Sequence, residues 1–81
     1  MPFHVYLLRC ADNSLYCGFC KDLQARKEMH NVGKGAKYTR SRRPVNIVYT
    51  EEFTTRSEAL RREAHIKKLT KAAKELLVAR N

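Results

Sequence analysis

The fold is set by the stretch Phe3-His4-Val5-Tyr6-Leu7-Leu8-Arg9-Cys10, then Ala11-Asp12-Asn13-Ser14, then Leu15-Tyr16-Cys17-Gly18-Phe19-Cys20. In the first segment both alternating sets of side chains are largely apolar, which is typical of a strand covered on both faces. The second segment has the composition of a turn, and the third returns to strand-forming residues. Residues 3–20 are therefore predicted to form a β-hairpin.

A helix is predicted next, over residues 23–32. Asp22 can cap its start, and residues 33–35, which read Gly-Lys-Gly, can end it. Its expected apolar stripe, facing inward, consists of Ala25, Met29 and Val32.

The remaining elements follow from local signals. After Pro44, the β-branched and aromatic run Val45–Thr50 predicts a third strand. Thr55 and Glu58 fit a capping box that opens a helix over residues 56–69. Thr70 is expected to cap a last helix, with Ala73, Leu76 and Leu77 facing inward. The predicted class is α+β: a small three-stranded antiparallel sheet flanked by helices, in the order β-β-α-β-α-α.

Size and charge limit what the chain can be. Its 81 residues suffice for one compact domain, predicted over residues 1–81. Lys and Arg number 17 against 8 Asp and Glu, for a formal charge of +9. Such an excess favours a polyanionic partner, nucleic acid before an acidic membrane surface, although a basic surface without a partner stays an alternative. No apolar run reaches the roughly 20 residues of a membrane span, and no signal peptide is expected.

The basic residues concentrate in one segment, residues 33–43, which contains no acid. This segment is expected to be an exposed, flexible loop. Its cations suit phosphates rather than base edges and are predicted to bind nucleic acid. They are Lys34, Lys37, Arg40, Arg42 and Arg43.

Three cysteines, an odd number without a secretory signal, indicate reduced thiols and a cytoplasmic protein. Cys17 and Cys20 form a Cys-x-x-Cys pattern, which could indicate redox chemistry or half of a zinc site. In a regular strand these two positions point to opposite faces, so their sulfurs diverge. We therefore interpret them as small hydrophobic strand residues.

Two features of the predicted helices could carry chemistry. Glu63 falls in the apolar stripe between Ala59 and Ile66, where a carboxylate needs a partner, a metal or a cleft. A salt bridge to a neighbouring Arg, or a position at the rim, would also explain it. Arg26 and His30 share a helix face and suit a phosphate, although an Asp22–Arg26 pair beside a surface His30 is the simpler alternative.

Taken together, five segments resemble motifs of the GIY-YIG nuclease superfamily, in its small stand-alone bacterial branch. The resemblance covers about residues 3–78, and the first tripeptide has His4 in place of glycine, the second Cys17 in place of isoleucine. The segments are His4-Val5-Tyr6, Tyr16-Cys17-Gly18, Asp22–Arg26 with His30-Asn31, Gly33–Arg40, and Glu58–Glu63 with Ile66–Leu69.

The resemblance implies metal-dependent hydrolysis of a DNA phosphodiester with one divalent ion, for which Mg²⁺ is the expected metal. Tyr6 would be the general base or orient the attacking water, and Tyr16 would contact the phosphate or its water. Arg26 would stabilise the transition state, His30 would assist Tyr6 or the phosphate, and Glu63 would hold the metal. A non-catalytic nucleic-acid-binding module on the same fold is the alternative. We expect a monomer, with room for a protein partner that supplies specificity.

The resemblance also carries a geometric condition. Tyr6 and Tyr16 can face the same side of the sheet only if the hairpin loop has an odd number of residues or contains a bulge, because side chains alternate. An odd loop at residues 12–14, closed by Ala11 and Leu15, would satisfy it.

Overall fold

The structure, a computed structural model, describes residues 2–80, so Met1 and Asn81 of the predicted domain lie outside the described residues. It is an α+β fold, as predicted, with a three-stranded antiparallel sheet in the order β2-β1-β3. One short helix, α2, was not predicted. The elements are β1 (Phe3–Arg9), β2 (Leu15–Cys20), α1 (Leu23–Asn31), α2 (Lys37–Arg40), β3 (Asn46–Phe53), α3 (Arg56–Lys67) and α4 (Lys71–Ala79).

The β1–β2 hairpin has a three-residue loop, residues 11–13. The amide of Cys10 donates to the carbonyl of Ser14 (2.9 Å), and the amide of Asn13 donates to the carbonyl of Cys10 (2.9 Å). Asn13 has φ 69°, the left-handed conformation that closes a three-residue hairpin. The loop is odd, as the convergence of the tyrosines requires, but lies one residue earlier than the expected 12–14.

The consequence of this register is that Tyr6 and Tyr16 share a face of the sheet. Leu8 pairs with Tyr16 and Tyr6 pairs with Gly18. Directly opposed residues point to the same side, and so do residues two apart in one strand.

Each face of the sheet packs its own cluster. On one face α3 and α4 cover β1 and β2, and the buried residues are Val5, Leu7, Cys17, Ala59 and Ile66. On the other face the buried residues are Tyr6, Leu8, Cys10, Cys20 and Val45. Cys17 and Cys20 thus lie on opposite faces, as predicted, and neither is in a disulfide.

The predicted stripe of α1 is wrong. Ala25 is exposed, and Met29 and Val32 are 44% and 61% exposed. The helix instead packs Leu23 against the second cluster and buries His30, which is 1% exposed. Apolar spacing missed this orientation because the imidazole finds hydrogen-bond partners inside the protein and is buried in place of a hydrocarbon.

The helix ends otherwise follow the predicted caps. Asp22 Oδ1 accepts from the amide of Ala25 (3.0 Å). At the other end Gly33 has φ +82°, and the amides of Gly33 and Lys34 donate to the carbonyls of His30 and Met29. This is a Schellman motif, which turns the chain back toward the sheet.

The last two helices are fixed by caps and ion pairs. The capping box of Thr55 and Glu58 and the Thr70 cap are present, as predicted. Arg9 of β1 forms a two-pronged ion pair with Glu75 of α4, with Nη2 2.7 Å from Oε1. Arg62 of α3 pairs in the same way with Glu51 of β3, at 2.8 and 2.9 Å.

Two boundaries differ from prediction. The third strand begins one residue later than Val45 and continues to Phe53, because it pairs with the whole of β1. In α4, Leu76 is not inward but 66% exposed, while Leu77 and Val78 pack on the first cluster. Within residues 2–80, no helix is long and apolar enough to cross a membrane.

Candidate active site

Tyr6 lies at the centre of the site. It is in the middle strand, 2% exposed, and its hydroxyl is 3.0 Å from His30 Nε2. Its ring lies across Gly18, its partner on β2. A Cβ at position 18 would be 2.4 Å from the Tyr6 hydroxyl, so only glycine leaves room for this ring.

His30 reaches Tyr6 from the last turn of α1. Its other ring nitrogen, Nδ1, is 2.8 Å from the hydroxyl of Thr39 in α2. A Cβ on Gly35 would be 2.3 Å from Nδ1, so the glycine allows the backbone to close over the imidazole. The alternative of a surface His30 is excluded.

Tyr16 borders the same site from the edge strand. Its ring contacts the His30 ring edge-on, with centroids 5.5 Å apart, and stacks on Tyr38 at 5.8 Å. The ammonium of Lys67 lies 5.9 Å from the Tyr16 centroid. Tyr16 is therefore enclosed by rings and a cation but is still partly exposed.

Arg26 lies on α1, one turn before His30, and its side chain is exposed. Asp22 caps the helix instead of pairing with it, and within residues 2–80 the guanidinium makes no ion pair or hydrogen bond. An open depression of ≈ 370 Å³ adjoins it, lined by Cys20, Lys21, Asp22, Ala25, Arg26 and Met29. The Arg26 fork is thus free to bind an anion.

Glu63 approaches from α3. Its side chain is 16% exposed, between the buried Ala59 and Ile66, at the rim position considered from the sequence. Arg62 does not reach it, being paired with Glu51. Its one ion pair among residues 2–80 is a loose contact with Lys67, 3.6 Å from Nζ to Oε2.

The electrostatics connect these groups. Burial raises the pKa of the Tyr6 hydroxyl well above its ordinary value; Tyr16 adds to the rise, Arg26 opposes it, and Glu63 adds a smaller increase. Burial also lowers the pKa of His30, and the charge of Arg26 lowers it further. Both charges thus act on the Tyr6–His30 pair, and near neutral pH both partners are uncharged.

The residues present fit one Mg²⁺ and no denser metal centre. Among residues 2–80, no group of three His, Cys, Asp or Glu side chains could hold a metal. The shielded Glu63 carboxylate accepts no hydrogen bond from the same part of the chain, so its oxygens have free coordination capacity. Mg²⁺ is commonly held by one or two carboxylates together with substrate phosphates and waters.

The basic segment is more structured than expected. It contains α2, and Thr39 within it is fully buried. Arg42 pairs with Asp12 (2.9 Å) and lies over the Tyr38 ring (4.0 Å), while Arg43 donates to the carbonyls of Arg40 and Asn31. The prediction of a flexible loop was wrong. The exposed cations without an ion pair in residues 2–80 are Lys34, Lys37, Arg40 and Arg43.

Three residues of the site were missed by sequence reasoning. Thr39 and Tyr38 stood in a segment interpreted as a loop, and Lys67 was not distinguished from the other lysines. A usable signal was the spacing of Lys67 from Glu63, four residues along one helix.

A comparison with known families now decides the classification. The model of the GIY-YIG catalytic domain matches residues 2–76. The chain belongs to the GIY-YIG family. A UPF0213 protein of Staphylococcus aureus strain Mu50 is 54% identical over 74 residues, which cover 91% of this chain and 90% of that protein.

Two solved structures are similar to this GIY-YIG chain. The UPF0213 protein BH0048 from Bacillus halodurans is 44% identical with a TM-score of 0.63, covering 98% of this chain and 84% of that one. The protein EF2693 from E. faecalis is 45% identical with a TM-score of 0.64, covering 94% and 81%. Both are solution NMR structures. The GIY-YIG family is of the nuclease type, so nucleic acid is the class of partner.

The chain's departures from the GIY-YIG tripeptides leave the site intact. Cys17 points into the cluster under α3, away from Tyr6, and its sulfur is 3.9 Å from the Glu63 carbonyl. Burial raises the pKa of its thiol to about 11, as does the charge of Glu63. The thiol is therefore neutral and acts as a core residue.

Proposed function

We propose that this GIY-YIG chain hydrolyses phosphodiester bonds of DNA, with one divalent ion, at the site formed by Tyr6, Tyr16, Arg26, His30 and Glu63. The observation that carries the proposal is the 3.0 Å contact between Tyr6 and His30, because it joins a proton donor to a neutral proton acceptor. This pair lies within the fields of a free guanidinium and a carboxylate of unused coordination capacity.

Tyr6 and His30 would manage the proton of the attacking water. Since burial keeps Tyr6 protonated, we propose that it takes a proton from water as it passes its own to His30 Nε2. The hydroxide then forms the new bond to phosphorus. The P–O bond to the leaving oxygen breaks with its electron pair on that oxygen, which takes a proton from solvent, and His30 returns its proton to solvent.

Arg26 would act on the phosphate. Its fork is free, and a guanidinium pairs two donors with two phosphate oxygens. Since negative charge grows on those oxygens during transfer, the contact should strengthen in the transition state.

Glu63 would hold Mg²⁺, which when bound supplies positive charge to a phosphate oxygen and acidifies a coordinated water. Lys67, now 3.6 Å from the carboxylate, would move away from it. Its position beside Tyr16 keeps it close enough to meet the substrate phosphate.

A non-catalytic nucleic-acid-binding module on the same fold is the second candidate. One observation favours it: Lys67 already neutralises Glu63, so the carboxylate has a role without a metal. We further propose a single-domain, cytoplasmic monomer directed to a DNA structure or lesion, with a partner protein adding specificity.

The test is a cleavage assay on a panel of branched, nicked and single-stranded DNAs, with and without Mg²⁺. We expect wild type to cut at least one substrate only with the metal, and Glu63→Ala to cut none. RNA versions of the same substrates decide between DNA and RNA. Retention of DNA by the wild type without cleavage anywhere in the panel would favour the binding module.

A further inference from the structure

Thr39 is buried in the middle of the basic segment, with no exposed surface. Its hydroxyl oxygen is 2.8 Å from His30 Nδ1 and 3.0 Å from the carbonyl oxygen of Ala36. With the Tyr6 contact, these form one chain of polar groups: Ala36 carbonyl, Thr39 hydroxyl, imidazole, Tyr6 hydroxyl.

We propose that Thr39 is a positioning residue, which holds the His30 proton on Nδ1 and so leaves Nε2 free to accept the proton of Tyr6. This inference rests on the proposed function, because it names the residue that prepares the proton acceptor.

The direction of the chain follows from both of its ends. At one end, the buried Tyr6 hydroxyl has a single hydrogen-bond partner among residues 2–80, His30 Nε2. Its hydrogen must therefore point to Nε2, which then carries none, and a neutral imidazole has its hydrogen on Nδ1. At the other end, the Ala36 carbonyl can only accept, so it takes the Thr39 hydrogen and leaves a Thr39 lone pair for Nδ1–H.

One contact opposes this arrangement. The amide nitrogen of Ala36 is 3.4 Å from Nδ1, and it would prefer to meet a lone pair there. This is the longest of the contacts to the ring, and a hydrogen bond at that length is weak. The reverse tautomer would in exchange leave the Tyr6 hydrogen without an acceptor in the described chain.

The chemical consequence concerns the protonated state. When Nε2 takes the Tyr6 proton, His30 becomes a cation with two N–H groups, and Thr39 is already placed to accept the one on Nδ1. Without the hydroxyl, Nδ1–H would be a buried donor with no acceptor, a costly state. The imidazole would then prefer its proton on Nε2, facing Tyr6, where it blocks the transfer.

The test compares Thr39→Val, which keeps the shape and removes the hydroxyl, with the matched control Thr39→Ser, which keeps the hydroxyl. The first measurement is ¹⁵N NMR of the imidazoles, which reports the protonated nitrogen directly; His30 is identified among the three histidines by the loss of its signals in His30→Gln. We expect Nδ1–H in wild type and Thr39→Ser, and Nε2–H in Thr39→Val.

The second measurement is steady-state cleavage of the best DNA of the panel. We expect Thr39→Val to lower kcat about 10–100-fold with little change in KM, the usual size of effect for an outer hydrogen-bond partner of an active histidine. Thr39→Ser should restore most of kcat.

The outcomes separate the two proposals. Nε2–H in the wild type, or an unchanged tautomer in Thr39→Val, overturns the role of Thr39 whether or not the protein cleaves DNA. The expected tautomers with no cleavage in the wild type support Thr39 and refute the nuclease. If Thr39→Val does not fold, the wild-type and Thr39→Ser spectra still decide.

Discussion

The substitution Gly18→Ala tests how the site is assembled, because it adds one methyl group where the Tyr6 ring crosses β2. The new carbon would be 2.4 Å from the Tyr6 hydroxyl oxygen and 2.6 Å from the ring carbon that bears it. Ordinary contacts begin at 3.4 Å, so the hydroxyl must retreat by about 1 Å. It is 3.0 Å from His30 at present, and a shift of this size takes it out of alignment.

The expected magnitude follows from that displacement. A misplacement of about 1 Å in a reacting group can reduce a rate about 10²-fold. Overpacking at a buried strand position costs about 1–3 kcal/mol of unfolding free energy. Gly18→Ala should therefore fold, melt at a lower temperature, and cleave DNA about two orders of magnitude more slowly.

The assay is single-turnover cleavage alongside thermal melts, in a cycle with Tyr6→Phe. The phenylalanine ring keeps the clash but has no hydroxyl to displace. The stability cost of Gly18→Ala should thus persist in the Tyr6→Phe background while its rate cost disappears. A folded Gly18→Ala with wild-type cleavage, or rate losses that multiply across the cycle, would refute this account of Gly18.

Three further predictions concern charge. Neutralising a free cation of the basic segment should flatten the salt dependence of DNA binding by about one log–log unit for each phosphate that the variant no longer binds, whereas Arg42→Gln, already paired with Asp12, should change it less; equal slopes would contradict this. Because burial lowers the pKa of His30, the unfolded chain binds more protons than the folded chain below about pH 6.5, so stability should fall on acidification. His30→Gln should lose less melting temperature than wild type between neutral pH and about pH 5, and a parallel loss would contradict the burial argument. The hydrogen bond from Arg9, with that from Lys71, lowers the pKa of Glu75 from 4.5 to about 2, so the advantage of wild type over Glu75→Gln in melting temperature should be full above pH 4.5 and decline as the pH falls toward 2; a constant difference would exclude the pair as its source. The first free cations to test are Lys34, Lys37 and Arg40.

The sequence predicted the sheet and the helix caps because both depend on local chemistry. Alternation over residues 3–20 and the Thr55 capping box can be recognised without any tertiary contact. The odd hairpin loop could be required in advance, from the need for two tyrosines on one face. Its exact position depends on whether Asn13 takes the left-handed conformation, which composition alone does not determine.

The orientation of α1 could not be predicted because its apolar residues are not the ones it buries. Met29 and Val32 gave the stronger periodic signal, yet the buried position is His30. Its burial depends on hydrogen bonds to Tyr6 and Thr39, which are distant in sequence. The same dependence concealed α2: a four-residue helix has too few residues for a period, and its buried side chain is polar.

The assignment of Arg26 and Glu63 to one hydrolytic site is the central proposal, and a comparison of binding with cleavage tests it. Both groups should act on charge that develops in the transition state, so removing either should affect rate much more than affinity. Arg26→Lys is the matched control for Arg26→Ala, because it keeps the charge and loses the planar fork.

The most direct measurement is the single-turnover cleavage rate of saturating DNA with Mg²⁺, for wild type, Arg26→Ala and Glu63→Gln, with the Kd of each measured without cleavage. We predict that both variants lose about 10²–10³-fold in rate while Kd changes by less than about tenfold, and that Arg26→Lys recovers only part of the rate. If rate and affinity decline in the same proportion, or if both folded variants cleave like wild type, these residues do not form the hydrolytic site.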